Sequence, residues 1–188
     1  KSLIGLVPAM SGSIVYQGEA IELLPAHKRA RLGIGYVPQG RDVFPRLTVG
    51  ENITVGAAIN GDIPEEGQRQ IVQAFPILAE RWHQRAGTMS GGQQQQLAIA
   101  RVLIADPHLI LLDEPSEGIQ PNIVQEIAQN MVELNRKTGV TIVLVEQNLD
   151  MIRAMAQRCY VMDKGRIVAS LDREALDDEA EMRRHLAV

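Results

Sequence analysis

The stretch "LILLDEP", Leu109 to Pro115, is four apolar residues followed by two adjacent carboxylates and a proline. An apolar run without alternation reads as a strand buried on both faces, the habit of parallel sheets. Ligands of open α/β sheets bind outside the carboxyl ends of the strands, so Asp113 and Glu114 fall where chemistry is expected. Two acids at such an edge suit a division of labour: Asp113 on Mg²⁺, directly or through water, and Glu114 polarising an attacking water. The same letters also describe a plain Asp-Glu-Pro turn, and the run alone does not separate the two.

Working outward, "NIVQEIAQNMVEL" follows as an amphipathic helix, with Ile123, Ile127, Met131 and Leu134 on one stripe. "VTIVLVE" (140–146) is a second apolar strand. Apolar strands alternating with helices imply a mainly parallel sheet covered on both sides, hence an α/β fold. Upstream, "SIVYQGEAI" (13–21) reads as a hairpin around Gln17-Gly18 and "PAHKRARLG" (25–33) as a helix stopped by Gly33. "IGYVPQ" (34–39) is a short strand ended by Pro38. Between Gln39 and Met89 the apolar spacing is helical throughout, which predicts a helical lobe at about 40–105 set into the sheet domain. "CYVMDKGRIVAS" (159–170) closes the sheet region as a hairpin, and residues 174–188 read as a terminal helix.

The 188 residues suffice for one domain with a continuous core. A formal charge of -4 and the lack of a basic run argue against nucleic acid as a partner. The single cysteine, Cys159, excludes a disulfide framework and reads as a buried thiol in a strand. The four histidines show no metal spacing and read as exposed polar residues, and Trp82 reads as a packed anchor in the lobe. No apolar stretch approaches the ~20 residues needed to cross a bilayer.

A second chemical feature precedes the first by about twenty residues. "MSGGQQQQLAIAR" sets Ser90, Gly91 and Gly92 immediately before a helix, where free amides and the positive dipole end favour an anion. A flexible N-cap is the simpler description of the same residues.

Together, in this order and spacing, "MSGGQ" (89–93) and "LILLDEP" resemble the signature and Walker B motifs of the ATP-binding-cassette (ABC) ATPases. The resemblance extends to Gln39 in "YVPQ" as the Q-loop residue and to Gln147 in "IVLVEQ" as the switch residue, so it covers essentially the whole chain. It implies a P-loop NTPase-type core using ATP and Mg²⁺, with Asp113 and Gln39 at the metal, Glu114 activating water and Gln147 sensing the γ-phosphate. Ser90, Gly91, Gly92 and Gln93 would complete the nucleotide site of a second ABC subunit. It further implies transmembrane permease subunits as partners and a peripheral place on the cytoplasmic face of the inner membrane. "RLGIGYVPQGRDVFPRLTVGENI" and "EPSEGIQP" are similar to the ATPase subunits of branched-chain amino acid and amide permeases, most of all the urea-permease branch. Urea or a short amide is then the first expected solute, and branched-chain amino acids the second.

Two positions depart from the wider family. The switch residue is usually histidine, and Gln147 can contact a phosphate but cannot take a proton, which favours Glu114 as the base. Gln120 stands where the family's D-loop usually has aspartate, so it offers an amide in place of the usual carboxylate. Rival readings are an ABC ATPase acting on DNA or ribosomes, or a non-hydrolysing interaction module. The first is disfavoured by the acidic charge and by only some fifty residues between Gln39 and Met89.

Lys1-Ser2 matches the last two residues of a G-x-x-x-x-G-K-[ST] phosphate loop. Gly5 and Pro8 follow too closely for the helix that such a loop opens, so "SLIGLVP" reads as the last turn of a helix instead. The expectation is that the Walker A loop lies upstream of Lys1 and that the isolated chain binds ATP poorly and is inactive.

Overall fold

The computed structural model describes residues 1–59, 61 and 65–178. The chain opens with a closed turn in which the Leu6 N–H donates to the Lys1 carbonyl (3.2 Å) and the Gly5 N–H to the Ser2 carbonyl (3.1 Å). That nested pair is the Schellman pattern that ends a helix, with Gly5 supplying the required positive φ of 77°. Lys1 and Ser2 therefore sit in a closing turn and open no helix, as the spacing of Gly5 and Pro8 predicts.

Strands β1 (Val15–Tyr16) and β2 (Glu19–Ala20) form the hairpin around Gln17-Gly18. Helix α1 (Ala26–Arg31) leads through Gly33 into β3 (Ile34–Val37). Helices α2 (Val49–Ala57), α3 (Glu65–Ala74), α4 (Pro76–Glu80) and α5 (Gly91–Leu103) fill the interval before β4 (Leu109–Asp113). Helix α6 (Pro121–Thr138) crosses to β5 (Thr141–Val145), followed by α7 (Leu149–Met155). The antiparallel pair β6 (Cys159–Asp163) and β7 (Arg166–Leu171), and α8 (Arg173–Asp177), complete the described chain. Of the terminal helix expected over 174–188, residues 179–188 lie outside the described residues.

The central sheet is parallel, in the order β3-β4-β5. Its two faces separate by the period of the pleat. Val37, Ile110 and Leu112 join a core with Leu97, Ile99, Ile127 and Met131 from α5 and α6, while Ile34 and Leu111 turn the other way onto Ile4 and Ile21. Ile127 and Met131 are fully buried, and Ile123 and Leu134 flank them half-buried, as the stripe predicts. Trp82 packs partly buried against the same core.

Covering of both faces, expected from the apolar runs, holds for β3 and β4 but not for β5. Val143 and Val145 are 38% and 55% exposed. The physical reason is reach: the N-terminal turn, hairpin and α1 pack on β3 and β4, whereas β5 is half-buried only on the core side, through Ile142 and Leu144.

Candidate functional site

Strand order brings the ends of β3, β4 and β5 side by side, with Asp113 in register with Val145. From these ends project Gln39, Asp113, Glu114 and Gln147. Gln39 Nε2 donates to Glu114 Oε2 at 3.1 Å and to Glu117 Oε2 at 3.1 Å. Gln147 Nε2 donates to Glu114 Oε1 at 3.2 Å. Both oxygens of Glu114 thus accept from amides on the two flanking strands' loops. Glu114 itself sits at φ 46°, a left-handed conformation uncommon outside glycine and a mark of sites that hold strain. Its N–H is tied to the Val145 carbonyl at 2.8 Å.

Asp113 lies on the sheet face opposite to the main core. There Tyr36 Oη donates to Asp113 Oδ2 at 3.0 Å. Burial first, then this bond and the charges of Asp113 and Asp42, push the Tyr36 phenol up to about 12, so it remains a donor at neutral pH. Asp113 Oδ1 and Gln39 Oε1 accept no hydrogen bond among the described residues. These are hard oxygen donors. No group of three His, Cys, Asp or Glu side chains among the described residues could cage a metal alone. That donor set fits Mg²⁺, which is commonly held by one or two carboxylates together with substrate phosphates and water.

The second constellation stands apart: no hydrogen bond among the described residues joins Ser90, Gly91, Gly92 or Gln93 to Gln39, Glu114 or Gln147. Ser90 caps α5 in a capping box, its N–H donating to Gln93 Oε1 (3.0 Å) while its Oγ accepts from Gln93 N (3.4 Å). The amides of Gly91 and Gly92 have no acceptor among the described residues, the ordinary state of a helix start. A side chain at Gly92 would meet Ile123 Cγ2 at 2.8 Å, so its close packing on α6 already requires glycine.

Arg41 bridges the two groups. Its Nη2 donates to the carbonyls of Glu117 (3.1 Å) and Gly118 (3.3 Å), and its Nη1 lies so close to Gly91 that a Cβ there would stand 2.8 Å from it. Arg41, Glu117, Tyr36 and Glu146 are the residues that sequence reading passed over. "QGRD" and "EPSEG" look like ordinary loop charges, and Tyr36 like a strand aromatic. Cys159 is only partly buried, against Ile152 and Val161, and burial pushes its thiol up, as suits an unreactive group.

The profile of the ABC transporter family matches residues 1–117. The high-affinity branched-chain amino acid transport ATP-binding protein BraG of Pseudomonas aeruginosa is 48% identical over 168 residues, 89% of this chain and 72% of BraG. The lipopolysaccharide export system ATP-binding protein LptB of Haemophilus influenzae is 34% identical over 186 residues, 97% of this chain and 76% of LptB. Among solved structures, a nucleotide-free ATP-binding cassette from an ABC transporter superposes with a TM-score of 0.81 at 25% identity, over all of this chain and 78% of that one. The ADP conformation of MJ1267, another such cassette, gives 0.79 at 25% identity, over all of this chain and 81% of that one. Motif order, the parallel sheet with its strand-end acids, the family profile and these relatives agree, and the chain belongs to the ABC transporter family, among its ATP- and Mg²⁺-using ATPases.

Proposed function

We propose that this chain forms one nucleotide-binding domain, with a helical lobe at about 40–105, whose ATP hydrolysis powers a membrane permease. The observation that carries the reading is the meeting of Gln39, Glu114 and Gln147 at one sheet edge beside Asp113. Asp113 and the Gln39 carbonyl would hold Mg²⁺, which when bound neutralises charge on the terminal phosphates. Glu114, held between the donated amides of Gln39 and Gln147, takes the proton of the attacking water. Gln147 senses the γ-phosphate through its amide. Ser90, Gly91, Gly92 and Gln93 present their helix start to nucleotide held by a second subunit.

No described helix is long and apolar enough to cross a membrane. By its kinship with transport ATP-binding proteins such as BraG, the subunit works through transmembrane partners, peripherally, on the cytoplasmic face of the inner membrane. The 48% identity to BraG supports branched-chain amino acids as the solute class. The likeness of "EGIQP" (117–121) to the urea-permease branch supports urea or short amides as the second reading.

The test is phosphate release by the full-length subunit. Wild type should hydrolyse ATP only with Mg²⁺, and Glu114→Gln should lose a factor of about 10² to 10⁴, the usual contribution of a general base. ATP-dependent dimerisation of Glu114→Gln, followed by size-exclusion chromatography, should survive. A full-length wild type that binds no ATP sinks the proposal.

A further inference from the structure

We propose that Glu146 is a positioning residue for this hydrolytic machinery, tying the loop after β4 to the loop after β5 and thereby setting Glu114 against Gln147. The inference rests on the roles given to those two residues above. Both oxygens of the Glu146 carboxylate are engaged. Oε1 accepts from the backbone amides of Gln147 (2.7 Å) and Asn148 (2.9 Å), and Oε2 accepts from the amide of Ser116 (3.2 Å). The three amides come from two loops that follow neighbouring parallel strands. One carboxylate thus ties Ser116 to Gln147 and Asn148, which no backbone hydrogen bond joins among the described residues.

The placement matters because Glu114 lies between two tethers. Upstream its own N–H is held by the Val145 carbonyl at 2.8 Å, and downstream Ser116 is held by Glu146. Between them Glu114 keeps its positive φ, a conformation that persists only where the surroundings over-determine it. On the other loop the Gln147 backbone is held by Glu146 while its side chain donates to Glu114 Oε1. The same carboxylate therefore fixes both ends of the Glu114–Gln147 contact and touches neither reacting atom. A purely structural role as helix cap is already filled, since Asn148 Oδ1 caps α7 through the Met151 amide at 3.0 Å.

The test is steady-state ATPase of the full-length subunit carrying Glu146→Gln. The amide keeps the size but only one acceptor oxygen, so it can serve one loop and must turn an NH₂ toward a donor of the other. We expect kcat to fall about 10- to 100-fold, the scale of an ångström-sized misplacement, with KM for ATP within about twofold of wild type. In a Gln147→Ala background the same change should cost less than about twofold more, because the two residues act through one contact. Glu146→Asp, with two oxygens but a shorter reach, should restore part of kcat, and it carries the same double-mutant comparison if Glu146→Gln does not fold. An unchanged kcat, or losses that multiply fully in the Gln147→Ala background, overturns the proposal. Active wild type, inactive Glu114→Gln and normal Glu146→Gln would reject this inference alone. A wild type without Mg-dependent ATPase would reject both readings.

Discussion

Replacing Tyr36 by phenylalanine removes one oxygen and one hydrogen bond, the 3.0 Å donation to Asp113 Oδ2. A hydrogen bond to a charged acceptor contributes about 1.5–3 kcal/mol net, and at this half-buried site the lower figure applies. If that bond aligns Asp113 for the metal, about 1.5 kcal/mol is roughly a tenfold loss of Mg²⁺ affinity. The figure agrees with the 10- to 100-fold typical when a partner of a metal ligand is removed. The assay is a Mg²⁺ titration of ATPase activity at fixed ATP in the full-length subunit. The half-saturating Mg²⁺ concentration should rise about tenfold, with kcat at saturating Mg²⁺ within about threefold of wild type. An unchanged Mg²⁺ dependence would refute the link, showing that the hydroxyl does not align Asp113 or that Asp113 does not hold the metal. The raised phenol makes a second, independent signature. Because the folded protein holds this proton more tightly than the unfolded chain, its stabilisation is complete below about pH 10 and is lost as pH rises through about 12. Alkaline unfolding curves of Tyr36→Phe should lack that component.

Arg29 is 2% exposed and its guanidinium donates to four carbonyls, of Leu24, Ser2, Leu3 and Glu22, at 2.7 to 2.9 Å. Arg29→Met should cost roughly 3–5 kcal/mol in urea unfolding, and Arg29→Lys, which keeps the charge but not the fork, more than half of that. Loss of under about 1 kcal/mol would show that water replaces the guanidinium freely. Gly56 lets α2 approach α5 so closely that a Cβ would stand 2.0 Å from the Arg101 carbonyl oxygen. Gly56→Ala should therefore destabilise by about 1–3 kcal/mol despite the ~1 kcal/mol gain in helix propensity, measured by the same unfolding experiment. Gly91→Ala meets only the tip of Arg41, a flexible side chain, so stability should change by less than about 1 kcal/mol. ATP-dependent dimerisation should weaken as Arg41 is pushed off the Glu117 and Gly118 carbonyls.

Much of this molecule is written locally. The turns at Gln17-Gly18 and Lys164-Gly165 fall where the dipeptides place them, and the stripe of α6 buries Ile127 and Met131 as its spacing requires. Asp113 could be placed at a strand end because a run of apolar residues must stop where it meets two charges. Tyr36, Arg41, Glu117 and Glu146 were not legible, for a common reason. Each takes its meaning from a partner 30 to 78 residues away, and no periodicity encodes such a pairing.

The sequence by itself determined the chemical inventory: strand-end acids, a Ser-Gly-Gly helix start, a strand-end glutamine and a second one after β5, with the α/β alternation that carries them. Helix, strand and turn preferences act over a few residues, so they are readable in order along the chain. The tertiary structure decided which of these groups meet. Only the order β3-β4-β5 puts Gln39 and Gln147 on opposite sides of Glu114, since parallel strands are joined through intervening helices and their lateral order is set by packing between distant segments. The same packing exposes Val143 and Val145 of β5 while burying Leu111 of β4, although the strands read alike as sequence.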